Sequence, residues 1–271
     1  MPLDVRGVRI AASTFGSPAD PAVLLIAGGA SSMDWWEPEF CAPLASAGRF
    51  VIRYDHRDTG ESVSYPPGRP GYTGDDLLAD AAGVLDALGV ASAHVVGISM
   101  GGAIAQLLAI REPAMVRTLT LISTSGGAGD PDLPMGDVAS VPEPDWTDQA
   151  AVVDYAVASQ RAAAAPSRPF DEAAVREVAT VAVGRTASPE SAEKNHHAAE
   201  GGEGWRPKLP DITAPTLVLH GTEDPMFPLA HGEALAREIP GARLVPLPNT
   251  GHEFPRANWP LVLRELIPHT A

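Results

Sequence analysis

One stretch constrains this chain more than any other: His94-Val95-Val96-Gly97-Ile98-Ser99-Met100-Gly101-Gly102-Ala103, continuing from Ile104 to Ile110. It opens as an apolar β-type run, passes through Gly-x-Ser-x-Gly, and goes on as a helical pattern. A strand that turns at once into a helix forces the serine between them into a strained backbone conformation. Glycines two residues to either side permit the close backbone approach. The turn lifts the hydroxyl out of the sheet, and the following helix N-terminus offers partial positive charge to a developing oxyanion. Ser99 is therefore the candidate nucleophile.

Around this turn, β-type runs at residues 23–26, 50–54, 94–97, 116–122, 216–220 and 243–247 alternate with helical patterns. Such runs, apolar on both faces, indicate βαβ units and an α/β class built on a mostly parallel sheet with helices on both faces. Residues 8–15 read as an N-terminal antiparallel edge strand. Thr73 with Asp76 forms a capping pattern before Leu77, Leu78, Ala81 and Leu85, a helix ending at Gly89. Asn258 and Pro260 open a last helix over Leu261, Val262 and Leu266.

The alternation breaks between Gly126 and Arg206. Gly126, Gly127, Gly129, Pro131 and Pro134 open an irregular segment, and three helical stretches follow. These are residues 148–165 with Thr147 as cap, 172–183, and one opened by Ser188-Pro189-Glu190 that ends before Gly201-Gly202. Residues 126–206 thus read as a helical cap inserted between residues 1–125 and 207–271, which together make the sheet core. A chain of 271 residues suits one domain with such an insertion.

A serine hydroxyl needs a base within hydrogen-bond reach, and on such a turn the chain order is serine, acid, histidine. The loop after 216–220 carries Glu223-Asp224-Pro225, and the loop after 243–247 carries Gly251-His252. Adjacent parallel strands bring both loops to the carboxyl edge where Ser99 emerges. His252 is the candidate base and Asp224 its orienting acid, with Glu223 a close competitor. The oxyanion donors expected are the Met100 amide and, in the loop Ala27-Gly28-Gly29-Ala30, the amide of Gly29. Trp35, Trp36, Met226, Phe227, Trp146, Tyr155 and Trp205 are candidate walls of an apolar pocket. His94, His220, His196 and His197 read as packing or surface residues. Asp55, Arg57 and Asp58 read as a local ion-pair network without a nucleophile of its own.

The formal charge of −15 disfavours nucleic acid and anionic membranes as partners and suits a neutral or cationic small molecule. One cysteine, Cys41, excludes an internal disulfide and a cysteine-based metal site, and the polar start has no leader-type apolar run. A soluble cytoplasmic protein is the expectation.

These residues resemble α/β-hydrolases over nearly the whole chain, in particular the branch containing aclacinomycin methylesterase, an anthracycline-tailoring enzyme. The resemblance is carried by the Val51-Ile52-Arg53-Tyr54-Asp55-His56-Arg57-Asp58-Thr59-Gly60 run and by residues 93–101. Asp34-Trp35-Trp36 with Pro38-Glu39-Phe40 carries it too. It implies the same triad and amides, a helical cap, no cofactor, and hydrolysis of carboxylic esters through an acyl-enzyme. The Ala- and Pro-rich cap, shorter than that relative's, departs from the branch, so its polyketide substrate does not carry over. The substrate expected is a small apolar ester. Rival readings are a cofactor-free, haloperoxidase-like perhydrolase, a C–C or thioester hydrolase on the same triad, and a non-catalytic ligand receptor. Haloalkane dehalogenase and epoxide hydrolase chemistry is disfavoured, because both need a carboxylate where Ser99 stands.

Overall fold

The apolar runs become the strands of one sheet in the computed structural model, which describes residues 1–127, 132–199 and 204–271. The strands are β1 (Pro2–Val5), β2 (Val8–Phe15), β3 (Ala22–Ile26), β4 (Phe50–Tyr54), β5 (Ala93–Ile98), β6 (Val116–Ile122), β7 (Thr216–Gly221) and β8 (Arg243–Leu247). Their order is β1-β2-β4-β3-β5-β6-β7-β8. β1 and β2 run antiparallel to their neighbours and the remaining pairings are parallel. Residues 8–15 are therefore not the edge: β1 pairs outside them. β1 is short, and only Val5 of its four residues is buried, so its alternation is too brief to read. The opposite edge, β8, sends Leu244 into one layer and Val245 with Leu247 into the other, and of its five residues only Leu247 is fully buried.

The pleat sends alternate residues into two layers. Leu24 and Ile26 of β3 pack with α2 (Gly74–Ala87) and α3 (Met100–Arg111), whereas Val23 and Leu25 pack with α1 (Pro38–Ser46) and α8 (Trp259–His269). Thr73 and Asp76 close a reciprocal capping box on α2, which satisfies two otherwise orphaned donors. Asn258 precedes α8 but makes no cap; its amide donates to Thr250 instead.

Between β6 and β7 lie α4 (Gln149–Ala162), α5 (Glu172–Arg185) and α6 (Pro189–Ala198). Asp148, not Thr147, caps α4, accepting from the amides of Ala150 and Ala151. The Thr147 hydroxyl donates back to Asp145, 2.6 Å away, and so is spent on a turn. Ser188 caps α6 as its sequence implies. Gly129, Pro131 and the Gly201-Gly202 pair lie outside the described residues. α4 and α5 meet through Val153, Val157 and Ala179, with Trp35 packed against them.

Candidate active site

Ser99 joins β5 to α3 at φ 52° and ψ −120°, a region that an L-residue occupies only when its surroundings hold it there. Its amide donates to Ile122 O (3.0 Å), and its carbonyl accepts from Thr124 Oγ1 (2.8 Å) and the Gly102 amide (2.9 Å). The flanking glycines are a steric necessity. A Cβ on Gly97 would stand 2.1 Å from Gly101 O, and one on Gly101 would stand 2.3 Å from Ile26 O.

The loops after β7 and β8 bring the acid and the histidine to the same edge. His252 Nε2 lies 2.9 Å from Ser99 Oγ, and His252 Nδ1 lies 2.9 Å from Asp224 Oδ2. Asp224 Oδ1 accepts from the amides of Met226 (2.9 Å) and Phe227 (2.8 Å). Burial pushes this carboxyl up, but the hydrogen bond and charge of His252, with the Phe227 amide, bring it net below the ordinary range. Asp224 can thus hold the Nδ1 proton while Nε2 faces the serine. Glu223, the competitor, points away and accepts from the Ser167 amide and hydroxyl. The His252 amide donates to Ala163 O just beyond α4, at 2.8 Å.

Gly28 and Gly29 lie against the elbow: a Cβ on Gly28 would stand 3.5 Å from Ser99 Cβ, and one on Gly29 3.8 Å from Met100 Sδ. The Met100 amide opens α3 and has no intrahelical acceptor. Two cavities flank Ser99 and His252, of about 160 Å³ and about 640 Å³. Trp35 and Gly29 line both, Trp36 touches only the smaller, and Met226, Trp146 and Tyr155 line only the larger.

Two expected walls stand elsewhere. Phe227 lines neither cavity; its ring packs edge-on against His252, centroids 5.3 Å apart. Trp205 packs on the α3 side of the sheet and donates to Gln106 Oε1 at 3.0 Å. Trp36 is 1% exposed, with its ring against Phe40 and Phe254, so it belongs chiefly to the core.

The charged loop after β4 does not pair locally. Arg57 makes a two-pronged ion pair with Asp80 of α2 (2.7 and 2.8 Å). Asp55 meets Arg185 of α5 at 2.8 Å, and Asp58 accepts from Tyr72 (2.7 Å) and Asn195 of α6 (2.9 Å). His94 packs within β5, bonded to Thr118 Oγ1, and His220 donates to Phe227 O at 2.7 Å. His197 is exposed, whereas His196 is tied to the Gly29 loop, a role that its helical position does not reveal. Cys41 is buried in α1, where burial pushes its thiol up to about 12. Among the described residues no cluster of His, Cys, Asp and Glu is arranged to hold a metal, and no helix is long and apolar enough to cross a membrane.

Residues 21–255 match the alpha/beta hydrolase fold family. The chain belongs to the α/β-hydrolase fold family. It is 36% identical over 278 residues to rhodomycin D methylesterase DauP of Streptomyces sp. (strain C5), a match covering 94% of this chain and 92% of that one. Against rhodomycin D methylesterase DnrP of Streptomyces peucetius it is 35% identical over 278 residues, with 94% and 92% covered. In three dimensions this α/β-hydrolase is similar to the enol-lactonase from Burkholderia xenovorans LB400. The TM-score is 0.76 at 24% identity over 99% of both chains, a likeness of fold. The two methylesterases fit the branch that the motifs resemble, and they make the chain a serine hydrolase of the ester-cleaving type.

Proposed function

We propose that this α/β-hydrolase cleaves a carboxylic ester by two-step acyl transfer at Ser99. The observation that carries the reading is the unbroken Asp224–His252–Ser99 line, 2.9 Å at each step, ending on a serine held at φ 52°. His252 Nε2 takes the Ser99 proton as Oγ attacks the ester carbonyl, and the amides of Gly29 and Met100 receive the tetrahedral oxyanion. His252 then gives that proton to the departing alkoxide, leaving an acyl-enzyme. Water, deprotonated by His252, repeats the attack and releases the acid, and the proton returns to Ser99. Asp224 stays ionised throughout and keeps the imidazole in the productive tautomer.

Residues 126–206 are read as a cap over this edge, contributing α4 and α5 to the walls of both cavities and α6 to the larger one. The relatives' names suggest a methyl ester as the bond cleaved. The larger cavity, at about 640 Å³, falls within the range of sites that enclose drug-sized ligands, and its Trp35, Trp146 and Tyr155 suit a bulky apolar acyl group. The test is hydrolysis of methyl and p-nitrophenyl esters over a series of acyl sizes, for the wild type and Ser99→Ala side by side. The expected result is turnover that rises with acyl bulk and vanishes in the variant. Turnover surviving the substitution contradicts the assignment of Ser99, and peracid formation outpacing ester hydrolysis favours a perhydrolase.

A further inference from the structure

The loop that carries the Gly29 amide is held at both ends by histidines, His56 fully buried and His196 half-buried. At its start, His56 Nε2 donates to Ala27 O at 3.0 Å. At its end, the Ala30 amide donates to His196 Nδ1 at 2.8 Å. His196 in turn donates from Nε2 to Arg57 O, also at 2.8 Å. An imidazole that accepts at Nδ1 and donates at Nε2 is neutral and in one tautomer. The two rings meet edge to face, with centroids 5.7 Å apart.

Ala30 needs holding. It lies at φ 55°, in the left-handed region that a residue with a Cβ rarely enters. The peptide between Gly29 and Ala30 turns with that backbone, and glycine places no side-chain brake on it. His196 belongs to α6, and α6 is fastened to the same neighbourhood by two further contacts. Asn195 Nδ2 donates to Asp58 at 2.9 Å, and Ser191 Oγ donates to Tyr65 O at 2.7 Å.

We propose that His196 is a positioning residue: by accepting the Ala30 amide it sets the Gly29 amide in register with that of Met100, so the oxyanion hole is complete only when α6 is docked. The inference rests on the reading of Ser99 and Gly29 given above. It assigns α6 a part in catalysis that is separate from forming the pocket wall. The effect falls on the tetrahedral intermediate, not on the bound ester, because the donor is called on only as negative charge develops.

The two bonds of His196 can be separated by substitution. Asn carries its Oδ1 where His carries Nδ1, and so keeps an acceptor for Ala30 while losing the donor to Arg57 O. Gln carries its Nε2 where His carries Nε2, and so keeps the donor while losing the acceptor. His196→Gln is expected to lower kcat about 10- to 100-fold with KM within about threefold, the scale of an oxyanion donor displaced by about an ångström. His196→Asn is expected to retain kcat to within about fivefold. Inactivation by an organophosphonate, whose phosphoryl oxygen enters the same hole, should slow in the Gln variant in proportion to kcat. Equal kcat in the two variants, whether both near wild type or both depressed, overturns the inference. Ser99→Ala assayed alongside separates the two levels. Turnover in that variant sinks the reading of the site itself, whereas its absence together with matched Asn and Gln variants sinks only the role of His196.

Discussion

In β3, every residue from Ala22 to Ile26 is withdrawn from water, whereas the 28 residues of α4 and α5 bury six apolar side chains, and only Val153, Val157 and Ala179 of these join in a cluster between the two helices. The difference is made up by directional contacts. Arg185 of α5 reaches Asp34 and Asp55, Asn195 of α6 reaches Asp58, and His196 reaches Ala30 and Arg57. Burial of a side chain such as Leu24 contributes about 1.5–3 kcal/mol wherever it packs, so the sheet tolerates small shifts. An ion pair or a hydrogen bond contributes only at its own geometry. The sheet is therefore held by quantity of apolar burial, and the helices above the site by a few placed partners. The elements that line the larger cavity and touch the Gly29 loop are those whose attachment is easiest to undo one residue at a time.

Acid should produce the largest effect, and on both regions together. Burial pushes His56, His94 and His196 down to about 4 each, so all three fold neutral. The unfolded chain takes up protons near pH 6.5, and the folded chain does so only near 4. Between those values the unfolded state binds more protons, so stability is full above about pH 6.5 and falls as pH drops toward 4. Asp55 and Asp80, raised by burial, act in the opposite sense and offset part of the loss. The urea midpoint followed from pH 7 to 4 should decline throughout. A flat midpoint over that interval contradicts the neutral packing of these histidines.

Asp80→Asn probes the part held by the sheet. It leaves the Arg57 guanidinium buried beside a neutral partner, and the expected loss is about 3–5 kcal/mol of unfolding free energy. A loss under 1 kcal/mol would mean that water reaches this pair. Arg185→Ala probes the helices and should cost less, about 1–3 kcal/mol. Asp55 keeps the amides of Met33 and Glu61 as donors after the change. Hydrogen exchange should then quicken in α5 and in the turn Met33–Trp35, leaving β3 and β5 protected. Uniform loss of protection would show the sheet and the helices over the site to be one cooperative unit.

The same contrast explains what could be read from sequence. Seven strands were legible to within a residue at either end, β2 included although not its place inside the edge, because period and flanking turns are local properties. The four-residue β1 was not, since so short a run with one buried side chain carries no period. The Ser99 turn and the loops of Asp224 and His252 were legible from glycine spacing and from strand ends. The helices over the site were legible as helices, while their attachments were not. His196 sits 166 residues from Ala30 and 139 from Arg57, and no local pattern marks it. Aromatic residues were the weakest guide. Trp36 and Phe227 have the type expected of a pocket wall, yet one fills the core and the other braces His252, because the facing element decides which way a ring is used.

Everything proposed for this site requires that Ser99 carry the acyl group. Brief reaction with a p-nitrophenyl ester, acid quench and peptide mass measurement would test it most directly. One acyl adduct per chain is expected, on the peptide containing Ser99, formed in a burst with p-nitrophenol and absent from Ser99→Ala. An adduct on any other residue, or an undiminished burst from Ser99→Ala, would contradict it.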